Sequence, residues 1–165
     1  EYIDMIYLKT SVLIAGSIRH GALVAGAPEH EYNALYDFGG YLGLVFQLQD
    51  DYLDVYGDVA EFGKKIGGDI LSNKKTYMLI KALELASPED KAMLQEWIAK
   101  KEFDPQEKIK AVTEIYNRTG IKEVVMAKID TYMDKSREAL DKVDVPEERK
   151  VHFREMVDYI GGRKK

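Results

Sequence analysis

The 165-residue sequence contains no cysteine. That absence excludes disulfides, thiolate metal sites and cysteine nucleophiles together, and it suits a reducing compartment. Histidine is scarce: His20, His30 and His152 are scattered, none at ligand spacing from an acidic cluster, which argues against a zinc site. His20 and His30 read as helix-surface residues. There is no excess of basic charge. Lys and Arg number 24 against 29 Asp and Glu, for a net charge of −5, so a general nucleic-acid binder is not expected. Long apolar runs are missing as well. The most apolar early window, Ser11 to Gly26, is broken by Arg19 and His20 and is too short and polar to cross a bilayer. No basic stretch leads into an apolar run, so no targeting signal is visible and a cytoplasmic location is expected. Disorder is excluded by 45% hydrophobic residues interspersed with charges of both signs. Linkers, low-complexity tracts and repeats are absent, and the length suits one domain with a real core.

What is present is helical periodicity, and no convincing strand pair. Residues 1–26 read as one helix with Ile3, Ile6, Tyr7, Leu13, Ile14 and Ile18 as apolar positions. Its glycines at 16, 21 and 26 suggest close helix contact. Pro28-Glu29 starts a second helix running to about Tyr56. From Phe38 to Gln49 this helix carries no charge, the mark of a buried central helix. Glycines at 57, 63, 67 and 68 make residues 57–69 a loop. A helix is predicted from about Asn73 to Ala86. Ser87-Pro88 and Asp104-Pro105 each supply an N-cap followed by proline at the first helical position. Gly120 is expected to stop the helix before it, another runs from Ile121 to about Val143, and Pro146 opens the last. The fold class is all-α.

The informative segment is Phe46-Gln47-Leu48-Gln49-Asp50-Asp51-Tyr52-Leu53-Asp54. On a helix, Gln47, Asp50, Asp51 and Asp54 occupy i, i+3, i+4 and i+7 and form one polar stripe. Carboxylates so close repel one another, and burial raises their pKa values. A hard divalent cation offsets both effects: Mg²⁺ takes oxygen ligands and is often shared between carboxylates and substrate phosphates. Alone, the stripe reads equally well as a solvated acidic helix end. An EF-hand is excluded, since the required glycine at the sixth position from Asp50 is Val55. The stripe gains weight from Lys64 and Lys65 in the glycine loop, then Asp69, then Lys74 and Lys75. Lysines on a flexible backbone opposite acids suit a metal–diphosphate site, although the loop is not a P-loop.

At these residues the sequence resembles a known family. The Phe46–Asp54 segment is similar to the second aspartate-rich motif of the trans-isoprenyl diphosphate synthases (polyprenyl synthetases), which include farnesyl and geranylgeranyl diphosphate synthases. Gly63-Lys64-Lys65-Ile66-Gly67-Gly68-Asp69-Ile70, followed by Asn73-Lys74-Lys75-Thr76, resembles the loop after that motif, and Met5-Ile6-Tyr7-Leu8-Lys9-Thr10 the family's Lys-Thr helix. The resemblance implies a helical bundle of the isoprenoid synthase type and an Mg²⁺-dependent prenyltransferase that condenses isopentenyl diphosphate with an allylic diphosphate. It implies that Asp50, Asp51, Asp54 and Asp69 serve metal binding, Asp69 by bracing the lysine loop or a metal-bound water. Lys9, Lys64 and Lys74 would contact diphosphate. Thr10 and Gln47 would line the place where the allylic carbocation forms, with Phe46 beside them. Arg163, Lys164 and Lys165 would close over the homoallylic diphosphate. Family members are usually homodimers.

Two departures matter. The family's usual Gly-Lys-Pro is here Gly63-Lys64-Lys65, and Lys64 is taken as the inward-facing lysine. A first aspartate-rich motif, which would complete a three-ion Mg²⁺ cluster, is absent, and only 49 residues precede Asp50. The expectation is therefore that residues 1–165 are the C-terminal portion of a single isoprenoid-synthase domain, inactive alone, whose Phe38–Gln49 face needs a partner half. The competing reading is a non-catalytic helical subunit or scaffold that retains a diphosphate half-site.

Overall fold

A Cβ on Gly43 would lie 2.6 Å from Ser11 Cα, and one on Gly39 would lie 2.8 Å from Ala15 Cα. Small residues four apart on one helix thus meet small residues four apart on another, letting the two backbones approach closely. In this computed structural model, which describes residues 1–57 and 66–163, that contact organises the first part of the chain. The elements are α1 (Tyr2–Ile6), a π-helical turn (Tyr7–Ser11), α2 (Val12–Val24), α3 (Glu29–Tyr56), α4 (Gly68–Leu71), α5 (Tyr77–Leu85), α6 (Pro88–Ala99), α7 (Pro105–Arg118), α8 (Ile121–Asp141) and α9 (Glu147–Gly161). Every regular element among the described residues is helical, as the periodicity predicts. None of these helices is long and apolar enough to cross a membrane.

The described residues form two compact units, one of residues 1–49 and 127–163, the other of residues 50–57 and 66–126. In the first, the core joins Ala34, Phe38 and Leu42 of α3 to Ala139 and Leu140 of α8, Val143 of the connection after it, and Val157 of α9. Phe153 packs edge-on against Phe38, with ring centroids 5.3 Å apart. The Ser136 hydroxyl donates to the Phe38 carbonyl at 3.2 Å. In the second unit, α4, α5 and α6 all pack on α7.

Local chemistry explains several boundaries. Ser87 Oγ accepts from the Asp90 amide at 3.1 Å. Asp104 Oδ1 accepts from the amides of Gln106 and Glu107 at 2.8 and 2.9 Å. Each cap satisfies amide donors that a helix start otherwise leaves open.

Four expectations need correction. The first helix is not uniformly α-helical, since a π turn interrupts it at Tyr7–Ser11. Gly16 and Gly21 make no close approach, and nothing lies within 4 Å of a Cβ on either. Gly39 and Gly43 do, because contact is decided by which face meets a neighbour. The helix predicted from Asn73 starts at Tyr77, with Thr76 Oγ1 capping the Leu79 amide at 3.2 Å. Finally, most of Phe38–Gln49 is already buried by this chain, with Phe38, Leu42, Val45 and Leu48 at 1% exposure or less. The large apolar residues left open lie elsewhere, notably Leu8, Leu13 and Val24.

Candidate functional site

In the first unit, the π turn carries Lys9 and Thr10. Such turns widen the helix by one residue and are frequent at functional sites. Lys9 is exposed. Thr10 Oγ1 donates to Gln47 Oε1 at 3.1 Å, so two residues predicted to line the reacting carbon are brought together. Gln47 is buried and Phe46 half-buried. Arg163 does not stand in solvent. Its Nη2 donates to the Phe46 carbonyl at 3.2 Å, and its guanidinium carbon lies 4.5 Å from the Phe46 ring centroid. Gln49 Nε2 donates to the Arg163 carbonyl at 2.6 Å. Sequence spacing gave no sign of this role for Gln49, whose partner is 114 positions away.

In the second unit, the acids divide their duties. Asp51 is 1% exposed, and its Oδ1 accepts from Lys74 Nζ at 3.1 Å. Lys74 Nζ also donates to Asp69 Oδ2 at 2.7 Å. Burial alone would lower the Lys74 pKa. The hydrogen bond to Asp69 and the charge and hydrogen bond of Asp51 outweigh it, and the ammonium is pushed up to about 12. Asp54 Oδ2 accepts from the Asp69 amide at 2.8 Å, and the Asp54 carbonyl accepts from the Gly67 amide at 2.6 Å. These two bonds tie the end of α3 to the start of α4. Gly67 makes the turn possible: its φ is +88°, and a Cβ there would meet Ile109 Cδ1 at 2.6 Å.

Asp54 is the group on which the electrostatics leave a debt. Burial raises its carboxyl above the ordinary carboxylate range, the Asp69 amide opposes that shift, and the Asp69 charge adds to it. A hard dication at its oxygens would remove the penalty. Half-buried Asp50, one turn before it on α3, offers a second oxygen donor of the kind Mg²⁺ prefers. The donor set therefore fits Mg²⁺ as part of a shell. Among the described residues, no three Asp, Glu or His groups converge as a ready-made ion site, so water and substrate oxygens would complete the coordination. Lys64, Lys164 and Lys165 lie outside the described residues.

Two residues of this unit were overlooked in the sequence, Asn73 and Lys108. Asn73 has φ +53°, the only positive φ at a non-glycine position among the described residues. Lys108 is 1% exposed, and its Nζ donates to Asn73 Oδ1 at 2.7 Å.

Against known proteins, residues 1–116 match the family model described as polyprenyl synthetase. The chain is 40% identical over 149 residues to a short chain isoprenyl diphosphate synthase of Methanothermobacter thermautotrophicus, covering 90% of this chain and 44% of the relative. It is 36% identical over 162 residues to heptaprenyl diphosphate synthase component 2 of Geobacillus stearothermophilus, covering 98% and 49%. Among solved structures, a geranylgeranyl pyrophosphate synthase superposes with a TM-score of 0.90 at 36% identity, over 99% of this chain and 51% of that one. A second, from Corynebacterium glutamicum in complex with calcium and isoprenyl diphosphate, gives 0.84 at 28%, over 98% and 49%. The chain spans about half the length of these relatives. With the family model matched over most of its residues, the chain belongs to the polyprenyl synthetase family.

Proposed function

We propose that the chain is the C-terminal portion of a single isoprenoid-synthase domain and carries half the active site of an Mg²⁺-dependent prenyltransferase. The reaction condenses isopentenyl diphosphate with an allylic diphosphate. The allylic C–O bond breaks and diphosphate leaves with the electron pair. The isopentenyl double bond attacks the resulting carbocation, a C–C bond forms, and a proton is lost. The observation that carries this reading is the bonding of Lys74 to both Asp51 and Asp69 beside the under-compensated Asp54. A cation and carboxylates so arranged suit an anionic group that arrives with its own metal.

Mg²⁺, when bound, neutralises charge developing on the departing diphosphate. Asp50 and Asp54 would hold it, with Asp51 and Asp69 fixing Lys74 and open to the same coordination shell; the complete enzyme would hold three ions. Lys74 contacts the diphosphate, with Lys9 and Lys64 assigned the same role, and stabilises the leaving group electrostatically. The Thr10 and Gln47 side-chain oxygens line the carbocation's place, and Phe46 gives it a dry wall. Arg163, with Lys164 and Lys165, is assigned to the homoallylic diphosphate. The working enzyme is a cytoplasmic homodimer in this reading.

The test is an assay of the full-length gene product with isopentenyl diphosphate, a series of allylic diphosphates and Mg²⁺. Chain-elongated product is expected there and none from residues 1–165 alone. No condensation product with any allylic partner would overturn the reading.

A further inference from the structure

Among the described residues, one buried ammonium of the second unit has no carboxylate partner. Lys108 of α7 is among the largest fully buried side chains, yet no ion pair forms with it among the described residues. Its Nζ has the Asn73 amide oxygen at 2.7 Å and the Phe103 ring centroid at 4.2 Å. Burial lowers its pKa, as expected for a cation taken from water without a counter-charge. A methionine or leucine would fill the same space without that cost, so packing alone does not account for a lysine here.

What the ammonium holds is a backbone in an unusual conformation. Asn73 sits in the left-handed region, at φ +53°. Both ends of its amide are occupied: Oδ1 by Lys108, and Nδ2 by the Ile98 carbonyl at 3.1 Å. The next residue is Lys74, whose amide donates to the Asp69 carbonyl at 3.0 Å and whose carbonyl accepts from the Thr76 amide at 2.8 Å. The direction of the Lys74 side chain toward Asp51 and Asp69 therefore follows from the geometry of this turn. Solvent has room for no more than about one molecule beside the anchor. The cavity that Lys108, Asn73, Lys74 and Asp69 help to line has a volume of about 10 Å³, the lower limit for one water.

We propose that Lys108 is a positioning residue which, through Asn73, locks the 72–76 turn so that the Lys74 ammonium is aimed at Asp51 and Asp69. Only its consequence for diphosphate binding rests on the function proposed above; the locking of the turn stands apart from it.

Amide hydrogen exchange tests the lock directly. Lys108→Met keeps the side chain's volume and removes its hydrogen bond. It is expected to speed exchange at the Lys74 and Thr76 amides about tenfold while leaving Val157, in the other unit, unchanged. Asn73→Gly accepts the backbone conformation without strain but loses both side-chain bonds, and it should do the same. It also carries the test should Lys108→Met fail to fold. Unchanged exchange at Lys74 and Thr76, or uniform acceleration at every amide, overturns the proposal, because either result makes Lys108 a space-filler.

A second arm uses the full-length enzyme and inorganic diphosphate with Mg²⁺. Lys108→Met and Lys74→Met should each weaken binding, and the double variant should be no weaker than Lys74→Met alone. Additive losses would contradict the coupling. Absence of diphosphate binding by the unsubstituted enzyme would sink the proposed function, with the exchange arm still deciding the role of Lys108.

Discussion

Helix α3 has two regions governed by different physics. From Phe38 to Gln49 it carries no charge, most of its apolar side chains are buried, and Gly39 and Gly43 admit the backbone of the preceding helix at Ala15 and Ser11. From Asp50 onward it presents carboxylates to a lysine and to the amide starting α4. Volume decides whether the first region forms. In the second, charge decides what it can bind. The first should thus fail by overpacking and tolerate pH; the second should tolerate small changes of volume and respond to protons and cations.

The largest effect should come from adding one methyl group. Gly43→Ala places a carbon 2.6 Å from a backbone atom that cannot rotate away, and a loss of about 2–3 kcal/mol is expected by denaturant unfolding. Gly16→Ala, with nothing within 4 Å, should instead gain about 0.5–1 kcal/mol, as helix propensity dictates. Equal losses at both sites would erase the distinction drawn here.

Next comes the charge cluster. Lys74→Met removes a charged partner of the 2%-exposed Asp51 side chain, but Lys74 itself is 36% exposed and solvent screens the pair. The expected cost is about 1–2 kcal/mol, below the ~3–5 kcal/mol typical of breaking a fully buried pair. The sign of its pH dependence is set by the raised pKa. The contribution is fully present below 10.5, the ordinary lysine value, and is lost as pH climbs through about 12. The stability difference between parent and Lys74→Met should narrow over that window.

Asp54 gives a smaller effect of the same sign, at the acidic end of the pH range. Its folded-state pKa is raised above the ordinary 3.8, so the folded protein binds this proton more readily than the unfolded chain. Stability should fall as pH rises from 3.8 through the folded value and level off above it. Asp54→Asn should flatten that fall in a series of melting curves without divalent cation, and should remove any stabilisation by Mg²⁺. The smallest change, Asp104→Ala, removes a cap made to two amides and should cost about 1 kcal/mol with no effect on diphosphate binding.

These contrasts also mark what the amino-acid order could disclose. Ser87 and Asp104 were legible as caps because a cap is local chemistry, made between residues two or three apart. The acidic stripe was legible because helical spacing alone puts Asp50, Asp51 and Asp54 on one face. The π turn at Lys9-Thr10 was not, since no residue of Tyr7–Ser11 is marked for i+5 bonding by its propensity. Asn73-Lys74-Lys75-Thr76 looked helical because the anchor that prevents a helix is Lys108, 35 positions away in sequence. Nothing in the order of residues marks Lys108 for burial, which comes with the packing of α4, α5 and α6 on α7. The division of labour among the acids, with Asp51 on Lys74 and Asp54 on the α4 amide, is likewise tertiary information.

In the proposed function, the acidic end of α3 binds diphosphate through a divalent cation, with Lys74 as the fixed positive charge. Calorimetric titration of the full-length protein with inorganic diphosphate, with and without Mg²⁺, tests it most directly. Binding should require Mg²⁺ and disappear in an Asp50→Asn/Asp54→Asn double variant. Binding of equal strength without Mg²⁺, or binding that survives loss of both carboxylates, would rule out a metal-bridged diphosphate at this helix end.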